Sequence, residues 1–127
     1  MAQVTGMSNA MKSNESDRLL EVVLAALEEM KGVGVRVVDV RELTSITDRM
    51  VIVSGTSTRH VKALAENVIL RAKQHGCKPL GVEGETTADW VLVDLADVVV
   101  HVMMPETRDF YALEKLWSVG GRNNASA

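Results

Sequence analysis

"DWVLVDLADVVVHVMM", residues 89–104, is the stretch whose reading decides the fold. Two β-branched arms flank a short segment carrying Asp94 and Asp97, which reads as a β-hairpin. With an even loop, at residues 95–96 or 94–97, Val93 faces Val98 and Trp90 lies opposite His101. Side chains alternate along a strand, so one face then holds Trp90, Leu92, Val99, His101 and Met103. The other holds Val91, Val93, Val98, Val100 and Val102, a uniform surface of the kind a helix packs against. An odd loop would instead set Asp94 opposite Val98 and move Trp90 to the valine side. Packing is the commoner use of a strand Trp and of a lone His. A large amphipathic aromatic beside an adaptable Met is also a typical binding anchor.

Working outward, Pro105 suits the first turn of a helix over "ETRDFYALEKLWS", with Phe110, Leu113 and Trp117 on one face. Upstream, "RMVIVS" reads as a buried strand. "SGTSTRHVKALAENVILRAKQHG" passes through a polar loop into a helix with Val61, Leu64, Ala65, Val68 and Ala72 as its stripe. "CKPLGVEG" is a short extended segment, and the three make a strand–helix–strand unit. "ESDRLLEVVLAALEEMKG" is amphipathic through Leu19, Leu20, Val23, Leu27 and Met30, with Gly32 as its stop. "VRVVDVRE" is a strand. The order is α-β-β-α-β-β-β-α, an α/β (mixed α+β) fold with a mixed sheet packed by helices. Residues 1–14 are expected to be a disordered leader, 15–118 the domain and 119–127 a disordered tail.

The chain has 127 residues, enough for one domain with its own core. Its net charge of −3 argues against direct nucleic-acid capture as the main activity and favours a basic protein partner. Cys77 is the one cysteine and can form no internal disulfide or zinc cluster. No apolar run is long enough for a membrane span, and the start lacks a signal core or an arginine-rich transit pattern. A cytoplasmic location is expected.

Three places in the chain carry residues that could support chemistry. "SGTSTRH" looks like a phosphate cradle but lacks the Walker spacing and its Lys, so helix capping by Ser57 or Thr58 explains it better. Asp94 and Asp97 invite a magnesium-site reading, but they flank a turn, where carboxylates form turns and stay solvated. His60, His75 and His101 lack ligand spacing. No catalytic residue, metal site or cofactor is expected.

The segments "LTSITDRMVIVSGTSTRHVKALAENV", "PLGVEGETTADWVLVDLADVVVHVM" and "RDFYALEKLW" resemble the ribosomal silencing factor family, also called Iojap-related. "SITD", "SGTSTRHV", "GVEG", "ADW", "ADVVVHVM" and "LEKLW" occur in order over residues 39–117. The resemblance implies a nucleotidyltransferase-like fold and a non-enzymatic binder. It implies attachment to protein number fourteen of the large ribosomal subunit, obstruction of small-subunit joining, and so translational repression, with a link to large-subunit biogenesis. Trp90 matches the family's ADW tryptophan, implicated in that contact. His101 and Met103 match "HVM", and Arg108 and Tyr111 match the start of the last helix. Glu83, Glu85 and Asp89 would form an acidic rim. Two residues depart from the pattern. Arg49 stands where an uncharged residue is common, and Ala96 replaces a common Gly.

Three hypotheses follow. The first is a ribosome-binding repressor. The alternative is a nucleotidyltransferase-related enzyme using the SGTS loop with Asp94 and Asp97. The third is a homodimer whose apolar patch around Trp90 seals itself, which can coexist with the first.

Overall fold

The computed structural model describes residues 2–111, with side chains from 15 to 109. The elements are α1 (Ala2–Glu29), β1 (Val33–Asp39), β2 (Arg49–Ser54), α2 (Thr58–Gln74), β3 (Gly81–Glu83), β4 (Trp90–Asp94), β5 (Val98–Met103) and α3 (Pro105–Tyr111). The expected element order is the observed one. Leu113, Trp117, the domain end at 118 and the 119–127 tail lie outside the described residues. α1 begins at Ala2, ahead of the apolar stripe that starts at Leu19. Its stop also differs from expectation. Lys31, not Gly32, takes the left-handed turn (φ 59°), and Gly32 N–H donates back to Leu27 C=O.

The five strands form one mixed sheet in the order β1-β2-β5-β4-β3. Only β2 and β5 run parallel, and the other neighbours are antiparallel. The strand–helix–strand unit β2-α2-β3 therefore exists, but β5 and β4 insert between its strands. Sequence proximity could not show this, because β5 comes later in the chain.

α1 and α2 both pack on the valine face of the sheet. Val51 and Val53 of β2 join Val91, Val93, Val100 and Val102 in a core with Val23, Ala26 and Leu27 of α1. α2 contributes Val61, Leu64, Ala65, Val68 and Ala72, the stripe its periodicity predicts. Each large side chain removed from water here contributes roughly 1.5–3 kcal/mol. Polar contacts lock the two helices together. Asn67 Nδ2 donates to Ala26 C=O at 2.8 Å, and Arg71 pairs with Glu29. Arg49, the charged departure from the family pattern, reaches the helix layer and pairs with Asp17 of α1 at 3.1 Å. Among the described residues no helix is long and apolar enough to cross a membrane.

The hairpin corrects the expected register. Trp90 lies opposite Met103 and Leu92 opposite His101, not Trp90 opposite His101. The slip is two residues, so every side chain keeps its predicted face. Its cause is the turn. Leu95 N–H donates to Val98 C=O at 2.9 Å, leaving Ala96 and Asp97 as the tip. Asp94 Oδ1 accepts from Ala96 N–H at 2.9 Å, and Ala96 sits at φ 74°. A left-handed Ala costs about 1–2 kcal/mol, and Gly returns part of that as unfolded-chain entropy. Ala96→Gly is therefore expected to stabilise the domain by about 0.5–1 kcal/mol, read as a rise of a few degrees in Tm.

Candidate functional site

The face turned away from α1 and α2 carries the candidate residues. Strand registers align them in rows across the sheet. One row runs Trp90, Met103, Ser54. The next runs Glu83, Leu92, His101, Ile52, Arg36. Burial is deepest in the middle strands and thins toward β4 and β3. Met103 is 0% and His101 7% exposed, whereas Trp90 and Leu92 are half-buried and Glu83 is exposed.

Position in the sheet thus separates the candidates. Trp90, Glu83, Glu85 and Asp89 lie at the surface. Glu85 and Asp89 belong to the loop between β3 and β4. That loop is tied down by Ala88 N–H to Gly84 C=O and by Met104 N–H to Asp89 C=O, both 2.9 Å. Met103 and His101, both on β5, lie beneath the surface. Arg108 is half-buried, and its Nη1 donates to Ser54 Oγ at 3.1 Å, fastening α3 to the end of β2. Tyr111 belongs to α3, and its side chain lies outside the described residues. One apolar residue adjoins the site without having been named as a candidate. Leu92 stands between Glu83 and His101. Leu92 was legible from its face.

Trp90 and His101 are bonded to each other. The indole Nε1–H donates to His101 Nδ1 at 2.9 Å, with ring centroids 5.8 Å apart and planes tilted by 47°. Indole can only donate, so Nδ1 must be the unprotonated nitrogen and the ring is neutral. Burial lowers the His101 pKa from 6.5 to about 4, and accepting the indole proton acts in the same direction.

The two halves of the enzyme alternative lie at opposite ends of the sheet. Asp94 ends β4 and Asp97 sits in the turn beside Arg49, where β2 begins, while the SGTS loop follows Ser54, where β2 ends. At about 3.3 Å per residue the strand holds them roughly 17 Å apart. A magnesium ion bridging carboxylates and phosphate needs contacts of about 2 Å. Asp94 is engaged with its own turn. The SGTS loop caps α2, since Ser57 Oγ accepts from His60 N–H at 3.1 Å. His60 then braces the loop: Nδ1 accepts from Thr56 N–H at 2.8 Å, which leaves Nε2–H to donate to Met30 C=O at 2.7 Å. Among the described residues no group of three or more His, Cys, Asp or Glu is placed to hold a metal ion.

Comparison with known proteins gives the family. The family model described as "Ribosomal silencing factor during starvation" matches residues 13–126. The chain belongs to the ribosomal silencing factor family. The silencing factor RsfS of Haemophilus influenzae is 45% identical over 100 residues, covering 79% of this chain and 98% of that one. A solved structure from Chromobacterium violaceum superposes with a TM-score of 0.79 at 43% identity, covering 80% of this chain and 85% of that chain. A mouse protein named for mitochondrial assembly of the large ribosomal subunit is 35% identical over 103 residues, 79% of this chain and 45% of its own length. The mixed sheet packed by helices is the fold of this silencing-factor family member.

Proposed function

We propose that this silencing factor acts in the cytoplasm by docking on protein number fourteen of the large ribosomal subunit and obstructing small-subunit joining. One observation carries the reading: a half-buried Trp90 beside three exposed carboxylates, Glu83, Glu85 and Asp89, on a rigid sheet. A Trp seated in a partner's pocket supplies much of an interface's energy. The carboxylates steer and orient a basic neighbour. Obstruction needs no turnover, because the bulk of the domain occupies the space the small subunit requires. The name of the mouse relative supports the choice of subunit.

The test is co-sedimentation with purified large subunits. Wild type is expected to bind and to lower the yield of joined ribosomes. Trp90→Ala is expected to stay folded and bind at least about tenfold more weakly, roughly 1.4 kcal/mol. Normal binding by the folded variant removes Trp90 as the anchor.

A homodimer is proposed on a separate surface. Five of the seven exposed large apolar residues among those described are Val33, Val35, Val37, Leu43 and Ile46, on or just after β1. β1 is the edge strand opposite β3, so pairing there leaves Trp90 accessible. Sedimentation equilibrium of Val35→Lys is expected to show a more monomeric protein with unchanged subunit binding.

A further inference from the structure

We propose that His101 is a positioning residue, which from inside the sheet fixes the Trp90 indole in the orientation that docking uses. The inference rests on the docking reading above and adds a part that makes no contact with the partner.

The geometry is that of a diagonal cross-strand pair. Trp90 lies opposite Met103 and His101 opposite Leu92, so the rings meet across one step of the ladder. His101 itself has little freedom, being buried between Leu92 of β4 and Ile52 of β2. An immobile acceptor thus holds the N–H of a half-buried ring at 2.9 Å. Two consequences follow for recognition. The indole is restrained before the partner arrives, so less side-chain entropy is lost on docking. The one polar atom of the ring is also satisfied within the chain, so the surface it presents is apolar. A Trp held by packing alone would keep neither property.

The test uses the full chain with His101→Leu and His101→Asn. Leu keeps bulk and removes the acceptor. Asn returns an acceptor, Oδ1, close to the position of Nδ1. The first readout is the Trp90 indole N–H proton resonance, assigned by its loss in Trp90→Phe. In His101→Leu it is expected to move upfield and exchange faster with solvent, and His101→Asn is expected to restore it. The second readout is affinity for purified large subunits. His101→Leu is expected to bind about 5–10-fold more weakly and His101→Asn within about twofold of wild type. A role in packing alone predicts the reverse order, because Asn fills the apolar site worse than Leu. Equal binding by His101→Leu and wild type, or Asn no better than Leu, overturns the proposal. If in addition Trp90→Ala binds normally, the docking reading fails as well. If Trp90→Ala loses binding while His101→Leu does not, the positioning role alone is lost.

Discussion

Between pH 7 and pH 5 the protein is expected to lose about 2 kcal/mol of stability, and His101→Leu to lose little over the same interval. In the unfolded chain His101 titrates at its ordinary 6.5, and in the fold burial holds it at about 4. Above pH 6.5 the imidazole is neutral in both states and its contribution is complete. As pH falls below 6.5 the unfolded chain binds the proton first, so unfolding becomes easier. The loss continues until the folded state also protonates near pH 4. There the new Nδ1–H can no longer accept from the Trp90 indole. The carboxylates with resolved shifts work at lower pH. Arg41 holds Asp39 at about 2, so its contribution disappears only as pH falls from 3.8 toward that value. Asn67 and then Arg71 hold Glu29 below its ordinary 4.5. The difference between wild type and His101→Leu across pH 7 and pH 5 therefore isolates the histidine. Urea unfolding of wild type and His101→Leu at both values measures it, and parallel slopes for the two proteins would refute the assignment.

What the sequence could and could not convey is clearest in the hairpin. The period of two fixed which side chains face the helices, because a valine row and a mixed row can be told apart by composition alone. It could not fix the pairing, because a slip of two residues leaves both rows unchanged. That choice fell to Ala96, whose left-handed backbone lets the chain reverse one step later than the two loops considered. The strand order was hidden for a related reason. β2 finds its parallel partner in β5, far along the chain, and no local pattern records such a pairing. The candidate site was half legible. Face membership brought Trp90, His101 and Met103 together, but it did not give their depth: His101 and Met103 of β5 are buried, whereas Trp90 of β4 is half-buried. The acidic rim was visible because a polar loop next to an edge strand is exposed in almost any arrangement.

Gly84→Ala is expected to cost at least about 3 kcal/mol, more than an ordinary surface substitution by a wide margin. Two effects combine at this residue. Its φ of 89° lies in the region that side chains with a Cβ avoid, worth about 1–2 kcal/mol. An added Cβ would also point directly onto the carbonyl oxygen of Trp90. No rotamer change relieves that contact, because the backbone fixes the Cβ position and the oxygen is itself a backbone atom. Either the loop carrying Glu85 and Asp89 must move, or the start of β4 must. Gly76 serves as the control. It has a similar φ, 81°, but a Cβ there meets nothing within 4 Å. Gly76→Ala should therefore show the conformational cost alone, about 1–2 kcal/mol. The difference between the two variants in urea unfolding measures how tightly the loop is pressed against the strand that bears Trp90. A Gly84→Ala protein no less stable than Gly76→Ala would mean that the loop yields freely. The acidic rim could then not hold a fixed position relative to the indole.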